Sequence, residues 1–139
     1  MPISLRQQVV ERAEGCREYC QLPRDHDPRP FHLDHIRPQK HDGPTVEENL
    51  AWSCAACSLF KGPNPAGYDP ETDELHPLFN PRQQTWAEHF EWNGATLNGR
   101  TAIGRTTIAV LRINEPLRVR HRELLIELEV FPPGLDRQV

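Results

Sequence analysis

The chain has 139 residues, enough for one domain with a modest core. Its formal charge is −4 and its pI near 6.0, so no global basic signature marks it as a nucleic-acid binder. No apolar run approaches the length needed to cross a bilayer, and Met1 to Glu18 is polar and charged, without the apolar stretch of a secretory leader. A cytoplasmic, reducing location without membrane contact is therefore expected. There, four cysteines serve as metal ligands or free thiols rather than disulfides.

The charge is uneven. Residues 1–62 carry 8 basic and 9 acidic groups, residues 63–92 carry 1 and 6, and residues 93–139 carry 7 and 5. The deficit thus sits in the middle segment and leaves the first 62 residues close to neutral. Fourteen prolines and eight glycines imply a loop-rich chain.

Ser4 is placed to cap a helix running to about Glu14, with Leu5, Val9, Arg12 and Ala13 at helical spacing and Gly15 as its stop. Cys16 and Cys20 follow as a C-x3-C pair. A charged, proline-flanked loop over 23–30 leads into Phe31-His32-Leu33-Asp34-His35-Ile36, whose alternation predicts a short strand or hairpin arm with Asp34 and His35 at its end. Asp42-Gly43-Pro44 reads as a turn, and Thr45 to Glu48 as a helical turn capped by Thr45 with Glu48 in the reciprocal capping position. Leu50-Ala51-Trp52 predicts a buried strand, and Ala55 to Lys61 a short helix stopped by Gly62-Pro63.

From Pro63 to Pro81 the chain is turn-rich with little periodicity. Trp86, His89, Phe90 and Trp92 then restore large apolar surface, better suited to anchoring the C-terminal segment than to stacking on bases. Thr96 to Arg100 reads as part of a strand and its turn, and Thr106 as the cap of a helix to Ile113. Asn114-Glu115-Pro116 starts a final helix whose face is Leu117, His121, Leu124, Leu125 and Leu128, ended by Pro132-Pro133-Gly134.

Two features carry chemistry. Cys16/Cys20 and Cys54/Cys57 are short-spaced pairs flanking the histidine-rich arm, an arrangement in which four thiolates can clip a tetrahedral zinc. The competing reading is buried free thiols. His32, Asp34 and His35 lie within four residues, and a metal-bound carboxylate beside a histidine base is what phosphodiester hydrolysis needs. The competing reading is a polar strand end whose histidines cap backbone groups.

Taken in order, these pieces resemble the HNH endonucleases, specifically small stand-alone proteins whose cysteine pairs bracket a His-x-Asp/Glu-His-Ile arm. The matching stretches are Glu18-Tyr19-Cys20, His32-x-Asp34-His35-Ile36, His41-x-Gly43, Asn49-Leu50-Ala51 and Cys54-x-x-Cys57-x-x-x-Lys61-Gly62-Pro63-Asn64. Leu78 to Arg82, Trp86 to Trp92 and Gly104 to Thr107 also look like this subgroup, so the resemblance runs over residues 8–125.

The resemblance implies an α+β fold: a ββα-metal (His-Me finger) core with zinc-clip cysteines, an N-terminal helix and C-terminal helices. It implies one nuclease domain over 1–139, with its core at 8–64 and a C-terminal extension at 65–131. Carried over by position, His35 is the general base and Asp34 the ligand of a Mg²⁺ or Mn²⁺ ion, while Asn49 braces the loop between arm and helix. His32 is a supporting group beside them. His32, Arg37, Lys40, His41 and Lys61 are the candidates for holding nucleic acid, extended by the arginines of the C-terminal segment.

Two positions depart from the pattern. The family has asparagine or histidine as second metal ligand after the last cysteine, where this chain has Ser58, whose neutral hydroxyl would hold the ion through a water. The usual first pair would put a cysteine where Arg17 stands, whereas Cys16 lies one residue early. The expected activity is metal-dependent hydrolysis of DNA, with RNA as the other substrate to compare and with a homodimer or partner protein supplying specificity. The alternative is a zinc-stabilised nucleic-acid-binding or scaffold module with a degraded site.

Overall fold

The computed structural model describes residues 4–26 and 29–133. The first three residues, Asp27 and Pro28 of the loop before the arm, and the tail 134–139, with Gly134 of the expected stop, lie outside the described residues. Helix α1 (Leu5–Arg12) opens on a reciprocal capping box: Gln7 N–H donates to Ser4 Oγ (3.1 Å) and Ser4 N–H donates to Gln7 Oε1 (3.2 Å). It closes at Ala13, and Glu14 and Gly15 follow at positive φ (54° and 81°).

Strands β1 (His32–His35) and β2 (Leu50–Ser53) pair antiparallel, with Leu33 opposite Trp52, Asp34 opposite Ala51 and His35 opposite Leu50. The two-residue pleat sorts their side chains. Leu33, Leu50 and Trp52 pack on α1 through Val9, Leu5 and Val10. Asp34 and Ala51 share the other face, toward helix α2 (Ala55–Lys61), which follows β2 after Cys54 alone and is stopped by Gly62 at φ 49°. Trp52 is fully buried, with the Phe31 ring edge-on at 5.0 Å and the Arg17 guanidinium 4.1 Å above it. Arg17, at the position of the family's cysteine, is thus a packing residue.

The expected capping box at Thr45 does not form. A single 3-10 turn, Glu47–Asn49, is preceded by Val46 without a side-chain cap, and Thr45 is engaged elsewhere. Beyond Gly62 the stretch read as turns holds a second hairpin, β3 (Ala66–Tyr68) with β4 (Leu75–Pro77). Its turn is closed by the buried Asp69 carboxylate, which accepts from Glu71 N–H (3.0 Å) and Thr72 Oγ (3.2 Å). Arg105 completes the closure with a two-pronged pair, Nε to Oδ1 at 3.1 Å and a terminal nitrogen to Oδ2 at 2.8 Å.

After helix α3 (Trp86–His89) comes a third hairpin, β5 (Phe90–Asn93) with β6 (Thr96–Gly99), and then helix α4 (Ala102–Leu111). The cap of α4 is Thr101, whose hydroxyl accepts from Gly104 N–H at 3.1 Å; Thr106, expected in that role, is buried in the helix interior. Gly104 lies within this helix because α4 presses on the α3–β5 junction. A Cβ there would stand 2.1 Å from the His89 carbonyl oxygen.

Helix α5 (Pro116–Glu127) starts at the predicted proline but ends at Leu128, four residues before Pro132. Its face also differs from expectation. Leu125 and Arg122 are buried, while Leu117, Leu124 and Leu128 are exposed. The arginine stems do the packing and their heads cap carbonyls: Arg122 donates to Ala95 O (2.8 Å) and Ile113 O (2.7 Å), and Arg118 to Leu111 O (2.7 Å). These arginines, with Arg105, are tied into the fold, whereas the sequence offered them as an extended nucleic-acid surface.

The larger core cluster joins Tyr19, Ala51, Cys57 and Ala56 to Phe79, Phe90, Leu97, Leu111 and Phe131. Trp86 donates to Tyr19 O and Trp92 to Gln21 Oε1, each at 2.8 Å, so the aromatic segment anchors on the chain around the cysteines. Among the described residues, no helix is long and apolar enough to cross a membrane.

Candidate active site and thiol cluster

The end of β1 is held from three directions. Asn49, buried at the head of β2, accepts from Arg37 N–H at 2.8 Å and donates to Arg37 O (3.0 Å) and Pro44 O (2.8 Å). One side-chain amide therefore closes the whole 37–49 loop. Gly43 permits that closure, since a Cβ there would sit 1.7 Å from the Arg37 carbonyl oxygen. The third hold is Lys61, whose ammonium donates to His35 O at 2.9 Å and lies 3.9 Å from Asp34 Oδ2.

Lys61 was expected on a phosphate-binding surface. It is only 1 % exposed, so it cannot reach a duplex and instead supports the strand that carries Asp34 and His35. Arg37, Lys40 and His41 are exposed on the loop, with Arg37 Nε donating to His41 O at 2.7 Å. His32 is exposed on β1.

Asp34 is mostly buried. Burial raises its pKa despite the opposing charges of Lys61, His35 and His32, and burial likewise lowers that of Lys61 against the pull of Asp34. Among the described residues Asp34 Oδ2 has no hydrogen-bond partner. The Tyr19 hydroxyl, in the same core, is also without one; burial and then the neighbouring Asp34 and Cys57 hold its pKa well above the usual phenol range. The imidazole of His35 is half-buried, with Nε2 2.9 Å from Thr45 Oγ1. Ser58 sits half-buried in the first turns of α2, one residue past Cys57, its backbone N–H donating to Cys54 O at 3.0 Å.

The four cysteines are free thiols, and three of them meet. The sulfurs of Cys20, Cys54 and Cys57 lie within 4.8 Å of one another, all buried, and could hold a metal ion. Cys54 caps α2 by accepting the Cys57 N–H at 3.3 Å and lies 3.6 Å from Cys20 Sγ. Cys16 is outside the group: it sits in a bridge to Pro23 at the end of α1, so the expected four-thiolate set reduces to three. Cys16 is half-buried, one residue before Arg17, whose guanidinium lies 4.1 Å over the Trp52 ring, and its spacing to Cys20 exceeds that of a C-x2-C pair by one residue.

Hydrogen bonds from Cys54 and Cys57 hold the Cys20 thiol well below its ordinary range, and the bonds they give to Cys20 push those two thiols up. Arg118 answers that charge, donating to Cys57 Sγ at 3.0 Å and to Cys54 Sγ at 3.7 Å. Burial would lower its pKa, but the three thiols hold it above its ordinary value.

Sequence reasoning missed four contributors: Thr45 as partner of His35, Lys61 as internal support, Tyr19 beside Asp34, and Arg118 at the thiols. The Lys61-Gly62 pair marks a helix end, but only the fold shows the ammonium turned inward. Arg118 carries no local signal, being 61 residues from Cys57.

Residues 16–62 match the family model described as HNH endonuclease. A curated relative, Septu protein PtuB of Bacillus thuringiensis, is 27 % identical over 121 residues, covering 85 % of this chain. This chain spans 44 % of that relative's length. No solved structure matches the chain. The match places an HNH endonuclease domain at residues 16–62 of this chain.

Proposed function

We propose that this chain is a metal-dependent endonuclease that hydrolyses DNA phosphodiester bonds at the Asp34–His35 end of β1. The observation that carries this reading is Asp34 Oδ2, a desolvated carboxylate oxygen with no hydrogen-bond partner among the described residues, adjacent in sequence to an imidazole. Such an oxygen fits a hard divalent cation of the Mg²⁺ or Mn²⁺ type, with Ser58 contributing through a water. When bound, that ion supplies Lewis-acid polarisation of the scissile phosphate.

His35 takes the proton of the attacking water. Thr45 Oγ1, 2.9 Å from Nε2, marks the direction from which a hydroxyl addresses this ring. Asn49 and Lys61 fix the strand end so that the imidazole and the carboxylate keep their relative placement. Arg37, Lys40 and His41, exposed on the 37–49 loop, contact phosphates and set the position of the backbone without reading bases. His32 lies on the same strand face as Asp34 and adds to that contact.

Cys20, Cys54 and Cys57 hold a structural zinc. Their thiol chemistry and their proximity fit that ion, and Arg118 offsets the surplus negative charge. The chain works as a single nuclease domain, with the core at 8–64 and residues 65–131 as its support. A partner protein or a second copy provides specificity.

A second reading, a zinc-stabilised nucleic-acid-binding module, rests on Ser58. It rests also on the fact that, among the described residues, three metal-type side chains gather at the thiols and not around Asp34. Plasmid nicking with Mg²⁺ or Mn²⁺ separates the two, with an RNA of matched length in parallel. His35→Ala is expected to slow cleavage by on the order of 10²–10⁴-fold. Equal cleavage by both proteins overturns the mechanism, and binding without cleavage by the unaltered protein selects the second reading. Zinc near one equivalent in freshly purified protein is expected, and near none removes the clip.

A further inference from the structure

Helix α5 presents two faces of opposite character. One is committed inward through Arg118, Arg122 and Leu125. The other carries Leu117, Leu124 and Leu128, which are 75 %, 50 % and 66 % exposed. With the half-buried His121 they fall at successive spacings of four, three and four, the d-a-d-a register of a seam between two helices. Single exposed leucines are ordinary, but three on one helix at seam spacing form a face that a second helix would cover.

The charges beside the seam say which helix. Arg120 and Glu127, both exposed, lie on the same flank of the leucine stripe, seven residues apart, in g positions. When two copies of α5 lie antiparallel about a twofold axis, Leu117 meets the partner's Leu128 and His121 meets the partner's Leu124. Arg120 of each copy then falls opposite Glu127 of the other, so the pattern is self-complementary and both ion pairs form at once. A parallel pair would set Arg120 against Leu125, which is buried, and leave its charge unanswered.

The surface continues past the seam. Leu59 of α2, 75 % exposed, lines a groove with Leu117 and His121, so the contact widens beyond the three turns of α5. A contact of that extent falls in the small, reversible class.

We propose that this face of α5 is the surface through which two copies of the chain associate, antiparallel, with micromolar affinity. The experiment is sedimentation equilibrium of the purified chain across a concentration series spanning low to high micromolar. A monomer–dimer equilibrium is expected. Leu124→Glu, at an exposed position, abolishes it while leaving the circular dichroism spectrum unchanged. Arg120→Glu and Glu127→Arg each weaken association roughly tenfold, and the double reversal restores it, because only the antiparallel register pairs these two positions with each other. A monomer at every concentration overturns the proposal. So does a dimer that Leu124→Glu leaves intact, or a double reversal no stronger than either single change.

Discussion

Residues 16–62 and residues 63–133 are held together by different chemistry. In the first, the critical holds are polar and internal: Asn49 across a loop, Lys61 on a strand-end carbonyl, three thiols around a common centre. In the second an aromatic cluster dominates, Phe79, Phe90, Trp86, Trp92 and Phe131 in contact, joined by Arg118 and Arg122 on carbonyls and by the Asp69 to Arg105 pair at its margin. The proposed site needs a carboxylate and an imidazole held in fixed relation, which a purely apolar core does not provide. It is built instead on short strands whose positions are set by directional bonds, and the aromatic half supplies the area that such strands lack.

The largest expected effect lies in the aromatic half. Phe90→Ala, at a residue 1 % exposed, should cost about 3–5 kcal/mol in denaturant unfolding, with the residual activity of the folded fraction unchanged. Comparable loss of specific activity in that fraction would show that the halves are not separable in this way. Lys61→Met should cost less, about 1.5–3 kcal/mol, from the lost charge-assisted bond to His35 O. It has a catalytic signature that Phe90→Ala lacks. Lys61 lowers the Asp34 pKa, so its removal raises that pKa further, and the acid limb of the pH–rate profile should move to higher pH.

Asn49→Ala should cost about 1–3 kcal/mol, since Arg37 and Pro44 lose their partner. Faster hydrogen exchange is expected over 37–49 and not over 90–99. The smallest effect is expected from Asp69→Asn. Bonds from Arg105 hold the Asp69 carboxyl well below its ordinary range, so the stability it contributes is full above the unfolded carboxylate value of about 4. That contribution is lost as the pH falls through the lowered value. Melting curves of the two proteins should therefore differ at neutral pH and converge in strong acid.

The legibility of the chain follows the same division. The hairpin and α2 were readable because their limits are local: alternation across Phe31 to His35, a short connection before Ala55, Gly62 as a stop. Thr45 misled because its hydroxyl has two possible partners, and the tertiary one, His35, displaced the local cap. The β3–β4 hairpin was invisible because its stabilising partner, Arg105, is 36 residues from Asp69. Thr106 misled for a related reason: α4 starts earlier, at the Thr101 cap, and its early turn accommodates Gly104 against the His89 carbonyl. On α5 three of the leucines, Leu117, Leu124 and Leu128, lie outward, while Arg118 and Arg122 turn inward beside Leu125. Composition inverts there because Arg118 faces thiols and Arg122 faces open carbonyls. At the site, residue types and order were legible, but the inward turn of Lys61 and the displacement of Cys16 depend on packing.

Glu18 shows what this arrangement means for dissecting the protein. Its carboxylate accepts the Trp52 N–H at 2.9 Å, lies 3.5 Å from Arg12 and pairs with Arg82, while the neighbouring Tyr19 carbonyl receives the Trp86 indole. The stretch shared with relatives therefore has its inner wall furnished by residues that come later in the chain. A fragment trimmed to residues 16–62 would keep Asp34, His35, Asn49 and the three clustered cysteines and lose Arg82, Trp86 and Arg118. The unit of recognition in sequence and the unit that stands in solution are different lengths of polypeptide.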